Sequence, residues 1–106
     1  MPKYLLRANY VGEGVKGLLK EGGTSRRAAA EKAVQSIGGK MEAFYYAFGD
    51  VDAYVIVDVP DNVSMAALAL TISASGAVTV KTDVLMTAED VDAATKKTPS
   101  YRPPGR

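Results

Sequence analysis

The side chains that could do chemistry in this chain are carboxylates and phenols, because histidine and cysteine are both absent. Their absence removes the usual ligands of zinc, copper, haem and iron–sulfur clusters, together with disulfides, thiolate nucleophiles and the commonest general base. We therefore expect no cofactor and no metal centre. A carboxylate site for a hard cation is the one form of metal binding left open.

Two acids, Asp50 and Asp52, lie two residues apart in a short segment that begins at Gly49. In a turn, such carboxylates can converge on a cation or on a proton to be transferred. The alternative is turn chemistry, in which Asp side chains accept hydrogen bonds from backbone N–H groups. Asp52 is the first candidate for a catalytic residue, and Tyr45 and Asn9 are weaker candidates beside it.

Aromatic side chains are concentrated in the first three predicted strands and next to them. Such a cluster could bind a planar substrate, with Arg7, Asn9 and Asp52 orienting it, as cofactor-independent oxygenases do with electron-rich aromatic compounds. The alternative is that these aromatics pack in the core and between subunits. The cluster consists of Tyr4, Tyr10, Phe44, Tyr45, Tyr46, Phe48 and Tyr54.

A glycine-rich segment, residues 12–17, has the G-x-G-x-x-G spacing of dinucleotide sites. Such a site needs a parallel sheet and an acid at the end of the second strand, whereas the second strand expected here is antiparallel and ends at Phe48. We interpret the glycines as loosening a loop over the sheet, which could act as a flexible lid, although Val15, Leu18 and Leu19 have helical spacing.

Hydrophobic periodicity predicts the elements that must position these residues. Alternation predicts strands over residues 3–10, 40–48, 53–59 and 77–86. Helical spacing predicts helices over 25–37 and 61–76, the first with Thr24 or Ser25 as N-cap and ended by Gly38. A capping box at Thr87–Asp90 predicts a short third helix to about Lys97.

This order, βαββαβ, predicts an α+β ferredoxin-like fold, with both crossover helices on one face of a four-stranded antiparallel sheet. Side-chain alternation predicts an apolar surface on the uncovered face, which a monomer would rarely expose. We therefore predict a homodimer, with Arg7, Asp58, Lys81 and Asp83 as ion pairs between subunits. The predicted interface consists of Leu5, Arg7, Phe44, Tyr46, Phe48, Tyr54 and Ile56.

Several short motifs resemble those of the GYD domain proteins. They are Gly38-Gly39-Lys40 before an aromatic strand, Ala43-Phe44-Tyr45, Gly49, Asp52-Ala53, and Val55-Ile56-Val57 ending at Pro60-Asp61. One departure is Val51, where the family's Gly-Tyr-Asp element usually has an aromatic residue. The resemblance implies a dimeric α/β barrel, in which two ferredoxin-like subunits pack their sheets face to face. The family is similar in shape to monooxygenases, isomerases and regulatory ligand-binding domains. The resemblance implies no assigned function.

Charge and hydropathy bear on partners and location. The net charge of +1 gives no basic field, and Asp50 and Asp52 stand where RNA-binding sheets carry Lys or Arg, so we expect no nucleic acid. Arg7 interrupts the apolar start and no later run is long enough to span a membrane, so we expect a cytoplasmic protein without membrane contact. Residues 1–97 are predicted to form one domain, and 98–106 a disordered, proline-rich basic tail.

Two functions are compatible with the sequence. The preferred hypothesis is a homodimeric small-molecule-binding or accessory protein without catalysis, with a small aromatic compound as ligand. The alternative is a cofactor-independent enzyme, similar to monooxygenases or isomerases, that acts on an aromatic or polyketide-like compound.

Overall fold

The computed structural model describes residues 1–106 and contains four strands and four helices. The elements are β1 (Lys3–Tyr10), α1 (Glu13–Glu21), α2 (Gly23–Ser36), β2 (Lys40–Tyr46), β3 (Ala53–Asp58), α3 (Asn62–Ala74), β4 (Val78–Leu85) and α4 (Ala88–Thr95). The sheet has the order β2-β3-β1-β4, and every neighbouring pair is antiparallel. The predicted α+β ferredoxin-like fold is confirmed.

The core lies between one face of the sheet and the crossover helices α2 and α3. Alternation along β1 and β3 sends Tyr4, Leu6 and Val57 to this face, where each is at most 5% exposed. Val34 of α2 and Met65 of α3 complete it from the helix side. The core forms because the apolar face of the sheet and the apolar stripes of two helices have only one another to cover them.

The prediction that Phe44 and Tyr46 lie on the uncovered face of the sheet is wrong. The pairing of β2 with β3 shifts between Met41 and Ala43, which inserts one residue and reverses the alternation beyond it. Phe44 and Tyr46 therefore pair with core-facing residues of β3 and point toward the helices. Their rings pack edge to face with centroids 5.0 Å apart.

Phe48 is also not part of the uncovered face, because β2 ends at Tyr46 and Phe48 lies in the following connection, fully exposed. Leu5, Arg7, Tyr54 and Ile56 do lie on the uncovered face, as predicted. The same shift that removes the two aromatics adds two residues of β2 to this face, Ala43 and Tyr45. We call this surface, formed by Leu5, Arg7, Ala43, Tyr45, Tyr54 and Ile56, the open face.

The glycine-rich segment is helical, which corrects the prediction of a loop. Its glycine at position 14 allows α1 to pack directly on the backbone that leads into β4: a Cβ atom there would lie 1.9 Å from the carbonyl oxygen of Ala77. The N–H of Val11 donates to the same oxygen at 2.9 Å. The G-x-G-x-x-G spacing therefore serves close helix packing at its second glycine.

The C-terminal part extends away from the core. α4 begins at the predicted capping box, in which the side chains of Thr87 and Asp90 each accept a hydrogen bond from the other's backbone N–H. None of its residues is buried, and residues 98–106 contain no helix or strand. The radius of gyration is 16.9 Å, against roughly 13 Å for a compact domain of this size. No helix has the length and apolarity needed to cross a bilayer.

Candidate functional site

An apolar cavity of about 130 Å³ lies between α2, α3 and the sheet. Thirteen of its fourteen lining residues are hydrophobic, and the exception is Arg26. The space exists because α2 presents small side chains, Ala30 and Ala33, opposite Ala8 of β1. Short side chains on both layers leave a gap that the neighbouring Phe44 and Ile72 border without filling.

Arg26, the fourth residue of α2, is partly exposed and lines both this cavity and the groove beside α1, so we take its position as the mouth of the cavity. Its nearest carboxylate is that of Glu21, the last residue of α1, with Nη1 3.6 Å from Oε2. That distance is too long for a hydrogen bond, so the guanidinium keeps donors for another partner. The contact is also the ion pair that joins α1 to α2.

Two tyrosines stand beside the mouth. The hydroxyl of Tyr46 donates to the carbonyl oxygen of Gly23 at 2.9 Å. Burial, together with the neighbouring Tyr10 hydroxyl, raises the pKa of Tyr46 to about 12, so it is a neutral hydrogen-bonding group at physiological pH. Tyr10 lines the cavity and also the two grooves that flank α1.

The structure brings together two of the three predicted catalytic candidates. Asp52 accepts a hydrogen bond from the N–H of Tyr10 at 3.0 Å through Oδ2, and the N–H of Asp52 donates to Oδ1 of Asn9 at 2.9 Å. These bonds fasten the β2–β3 connection to the end of β1, which is the turn role considered for Asp52. Its carboxylate also borders the groove lined by Tyr10 and Tyr46.

Tyr45, the third candidate, is not near this site. It belongs to the open face, where it pairs with Tyr54 across β2 and β3 and is 72% exposed. No group of three or more acidic residues is close enough together to hold a metal ion.

Sequence reasoning missed Arg26, the charged group nearest the cavity. Acids, not bases, are favoured at the start of a helix, because the helix dipole places positive charge there. α2 has no acid in its first turn, and Arg26 and Arg27 follow directly after it. This departure from helix electrostatics was the available signal, since natural sequences tend to break local rules at functional sites.

The charges around the open face pair within the chain. Arg7 contacts Asp83 across β1 and β4, with Nε 2.9 Å from Oδ2. Lys3 contacts Asp58 at 2.8 Å and also Glu42, and its hydrogen bonds to Asp58 and then to Glu42 raise the pKa of Lys3. The face is thus nearly neutral, with both signs at its margin.

Comparison with known proteins gives one clear result. The GYD domain family model matches residues 4–95, which includes all four helices and all four strands except Lys3, the first residue of β1. The search of curated proteins found no match, and neither did the search of solved structures. The match extends over most of the chain and agrees with the motifs at Gly38-Gly39-Lys40 and Val55-Ile56-Val57, and on this evidence the chain belongs to the GYD domain family.

Proposed function

We propose that this protein is a homodimeric, non-catalytic binding protein for a small, largely apolar molecule, and that the ligand occupies the apolar cavity. The observation that supports the proposal is a cavity with thirteen hydrophobic lining residues and a single charged one at its mouth. Binding sites for small molecules are typically apolar with a few placed polar groups. The proposal includes a cytoplasmic location, as expected from the sequence.

The size of the cavity limits the ligand. An apolar protein cavity of roughly 150 Å³ accommodates benzene, and the cavity here has about 130 Å³. It therefore suits one six-membered ring or a short alkyl chain. Larger ligands would have to extend into the groove that shares Tyr10, Arg26, Ile72 and Val78 with the cavity.

Filling the cavity tests this proposal. We expect toluene, benzamide or benzoate to bind the full-length protein with a submillimolar dissociation constant, measured by calorimetry and by saturation-transfer NMR. Ala30→Leu places three extra carbons in the cavity and should weaken binding at least tenfold. Ala28→Leu is the matched control, because Ala28 is exposed on the same helix and does not line the cavity.

The proposal fails if none of these three probes binds the wild-type protein. It also fails if the two leucine variants weaken binding equally, since the ligand would then lie outside the cavity. Unfolding curves of both variants show whether either substitution acts through stability instead.

The homodimer is proposed to form by pairing of the open face with its own copy. The centre of this face is apolar, with Leu5 and Ile56 partly buried and Tyr54 40% exposed. Its marginal charges are balanced, so two copies related by a twofold axis would not repel one another. These apolar side chains form a continuous patch and not a single exposed residue, and nothing else in the chain covers them. A second copy of the open face would cover them.

Sedimentation equilibrium tests the dimer. Ile56→Asp should turn a dimer into a monomer, since it would bury an unpaired charge in the interface. Val63→Asp, on the outer side of α3 and 80% exposed, is the control and should leave the dimer intact. A wild-type protein that remains a monomer at about 100 μM, which excludes a dissociation constant well below roughly that concentration, would refute the homodimer.

An enzyme is the second candidate, and one observation favours it. The carboxylate of Asp52 borders a groove that Tyr10 and Tyr46 also line, so an aromatic substrate there would meet an acid. Turnover of an aromatic compound that is lost in Asp52→Asn and kept in Asp50→Asn would support this candidate over the non-catalytic one.

A further inference from the structure

We propose that the ligand is a small organic anion, such as an aromatic or short-chain carboxylate, and that its charged group binds Arg26 in place of Glu21, which frees the end of α1. This inference rests on the proposed function, because it assumes that the apolar cavity is the binding site. It adds the charge of the ligand and the response of α1.

The state of Arg26 supports an anion. A guanidinium is always charged and carries five donors that match a carboxylate in two parallel hydrogen bonds. In the chain, its nearest carboxylate oxygen is 3.6 Å away. A ligand with its ring in the cavity would place a carboxylate at this guanidinium, where the partly buried surroundings strengthen the pairing.

The start of α2 adds a second positive contribution. The helix has no side-chain cap, and its N-cap residue is Gly22, so the predicted capping by Thr24 or Ser25 is not observed. The first backbone N–H groups and the positive end of the helix dipole are therefore not neutralised by an acid. This end of α2 lies beside the mouth, because Arg26, three residues after Gly23, lines the cavity.

The other nearby acids already have partners. Glu13 contacts Lys16 at 3.2 Å, and Asp52 accepts the N–H of Tyr10. Glu21 is the one carboxylate that competes with a ligand for Arg26. It therefore lies, from α1, next to the position that the carboxylate of a ligand would take, at 3.6 Å from the guanidinium.

The ends of α1 allow the helix to move when that contact is lost. Gly12 and Gly22 flank it with φ values of +50° and +85°, which favour glycine, and nothing lies within 4 Å of the space a Cβ would occupy at either residue. Within α1 only Gly14, near its start, is buried. The first turn of α1 is thus held by the packing of Gly14 on Ala77, whereas its last turn has only the partly buried Leu18 and the Glu21–Arg26 ion pair to hold it.

Binding of benzoate and of its neutral isostere benzamide at pH 7 tests the charge of the ligand. We expect wild-type protein to bind benzoate at least fivefold more tightly than benzamide. Arg26→Gln should abolish this preference while leaving benzamide affinity within about twofold. Arg27→Gln is the control, because Arg27 is the next residue and does not line the cavity, and should keep the preference.

The variant Glu21→Gln tests the competition. Removal of the competing carboxylate should raise benzoate affinity two- to fivefold and leave benzamide affinity unchanged. A drop in benzoate affinity, or an equal change for both compounds, would contradict the role given to Glu21.

Hydrogen exchange of the full-length protein tests the movement of α1. Benzoate, but not benzamide, should speed exchange of the amides of residues 17–21, and Glu21→Gln should show the fast exchange without ligand. Unchanged or slower exchange with saturating benzoate would refute the movement.

The two proposals fail differently. If neither benzoate nor benzamide nor toluene binds, the cavity is not a binding site and the proposed function is wrong. If benzamide and benzoate bind equally well, or Arg26→Gln keeps the preference for benzoate, the proposed function stands and the anion assignment is refuted.

Discussion

The two ends of the core are built differently. At one end, which we call the solid end, Tyr4, Val57, Val59 and Met65 are each at most 3% exposed and border no cavity. At the other, the cavity end, the same sheet and helices carry Ala8, Ala30 and Ala33 around an open space. β1 runs through both, from buried Tyr4 to Tyr10 at the mouth of the cavity.

The two ends thus have different roles: one part of the same strands and helices stabilises the fold, and another part forms the proposed binding site. Close packing stabilises the fold more than loose packing does, because each void removes contacts that its lining would otherwise make. The cavity end lacks such contacts. The solid end holds the sheet and helices in place, so that the cavity persists without a ligand.

The largest expected effect comes from truncation of the solid end. Met65 and Ile72 lie seven residues apart on α3 and so point to the same side, but Met65 belongs to the solid end and Ile72 borders the cavity. Met65→Ala should lower the free energy of unfolding by about 3 kcal/mol, because it creates a void in close packing. Ile72→Ala should lower it by about 1 kcal/mol, because Ile72 is only partly buried.

Urea unfolding at a fixed protein concentration measures both losses. Equal losses for the two variants would mean that the cavity end is packed as tightly as the solid end. That result would contradict the difference in packing between the two ends.

The next effect concerns α1, which lies beside the cavity end and lines the two grooves there. Gly14→Ala places a methyl group 1.9 Å from a backbone oxygen, so α1 must leave its position. We expect a loss of about 2 kcal/mol and faster hydrogen exchange throughout α1. Gly17→Ala is the control on the same helix: its nearest neighbour would be 3.8 Å away, and the better helix former should stabilise the protein by up to about 1 kcal/mol. Similar behaviour of the two variants would contradict the packing given to Gly14.

A smaller effect is expected from the partly buried hydroxyl of Tyr46. Loss of its hydrogen bond in Tyr46→Phe should cost about 1 kcal/mol at pH 8. The pKa of Tyr46 is about 12 in the folded chain, above its ordinary value of 10.0. Between these two values the unfolded chain loses the proton first, so wild-type stability falls as pH rises. The difference between wild type and Tyr46→Phe should therefore shrink from pH 9 to pH 11 in urea unfolding. A constant difference would mean that the pKa of Tyr46 is ordinary.

The sequence predicted the solid end better than the cavity end. The period-two pattern of β1 and β3 places Tyr4, Leu6 and Val57 in the core, and the stripe of α2 that contains Ala30 and Val34 faces it, because these are regular elements with one buried face. A regular period determines such faces without knowledge of partners. The order of elements likewise determined the sheet.

The errors follow from irregular features. One inserted residue between Met41 and Ala43 moves Phe44 and Tyr46 to the opposite face of the sheet. The residue types of β2 do not indicate a bulge at this position. The glycines of α1 predict a loop because glycine lowers helix propensity, yet close approach to Ala77 requires the glycine at position 14. A cavity depends on which small residues meet across layers, and that is set by tertiary packing.

The smallest effect is expected at α4, which belongs to neither end of the core. Thr87 caps α4 and Asp61 caps α3, each by accepting a backbone N–H through its side chain. Asp61→Ala should lower the urea midpoint, because α3 carries Met65 and Leu68 into the core. Thr87→Ala should change the free energy of unfolding by less than about 0.5 kcal/mol and reduce only the helical signal in circular dichroism. The reason is that an eight-residue helix with no buried residue frays without unfolding the rest of the chain.

A larger loss of stability in Thr87→Ala would show that α4 packs against the core or against a second copy of the chain. If that loss grows with protein concentration, the contact is with the second copy.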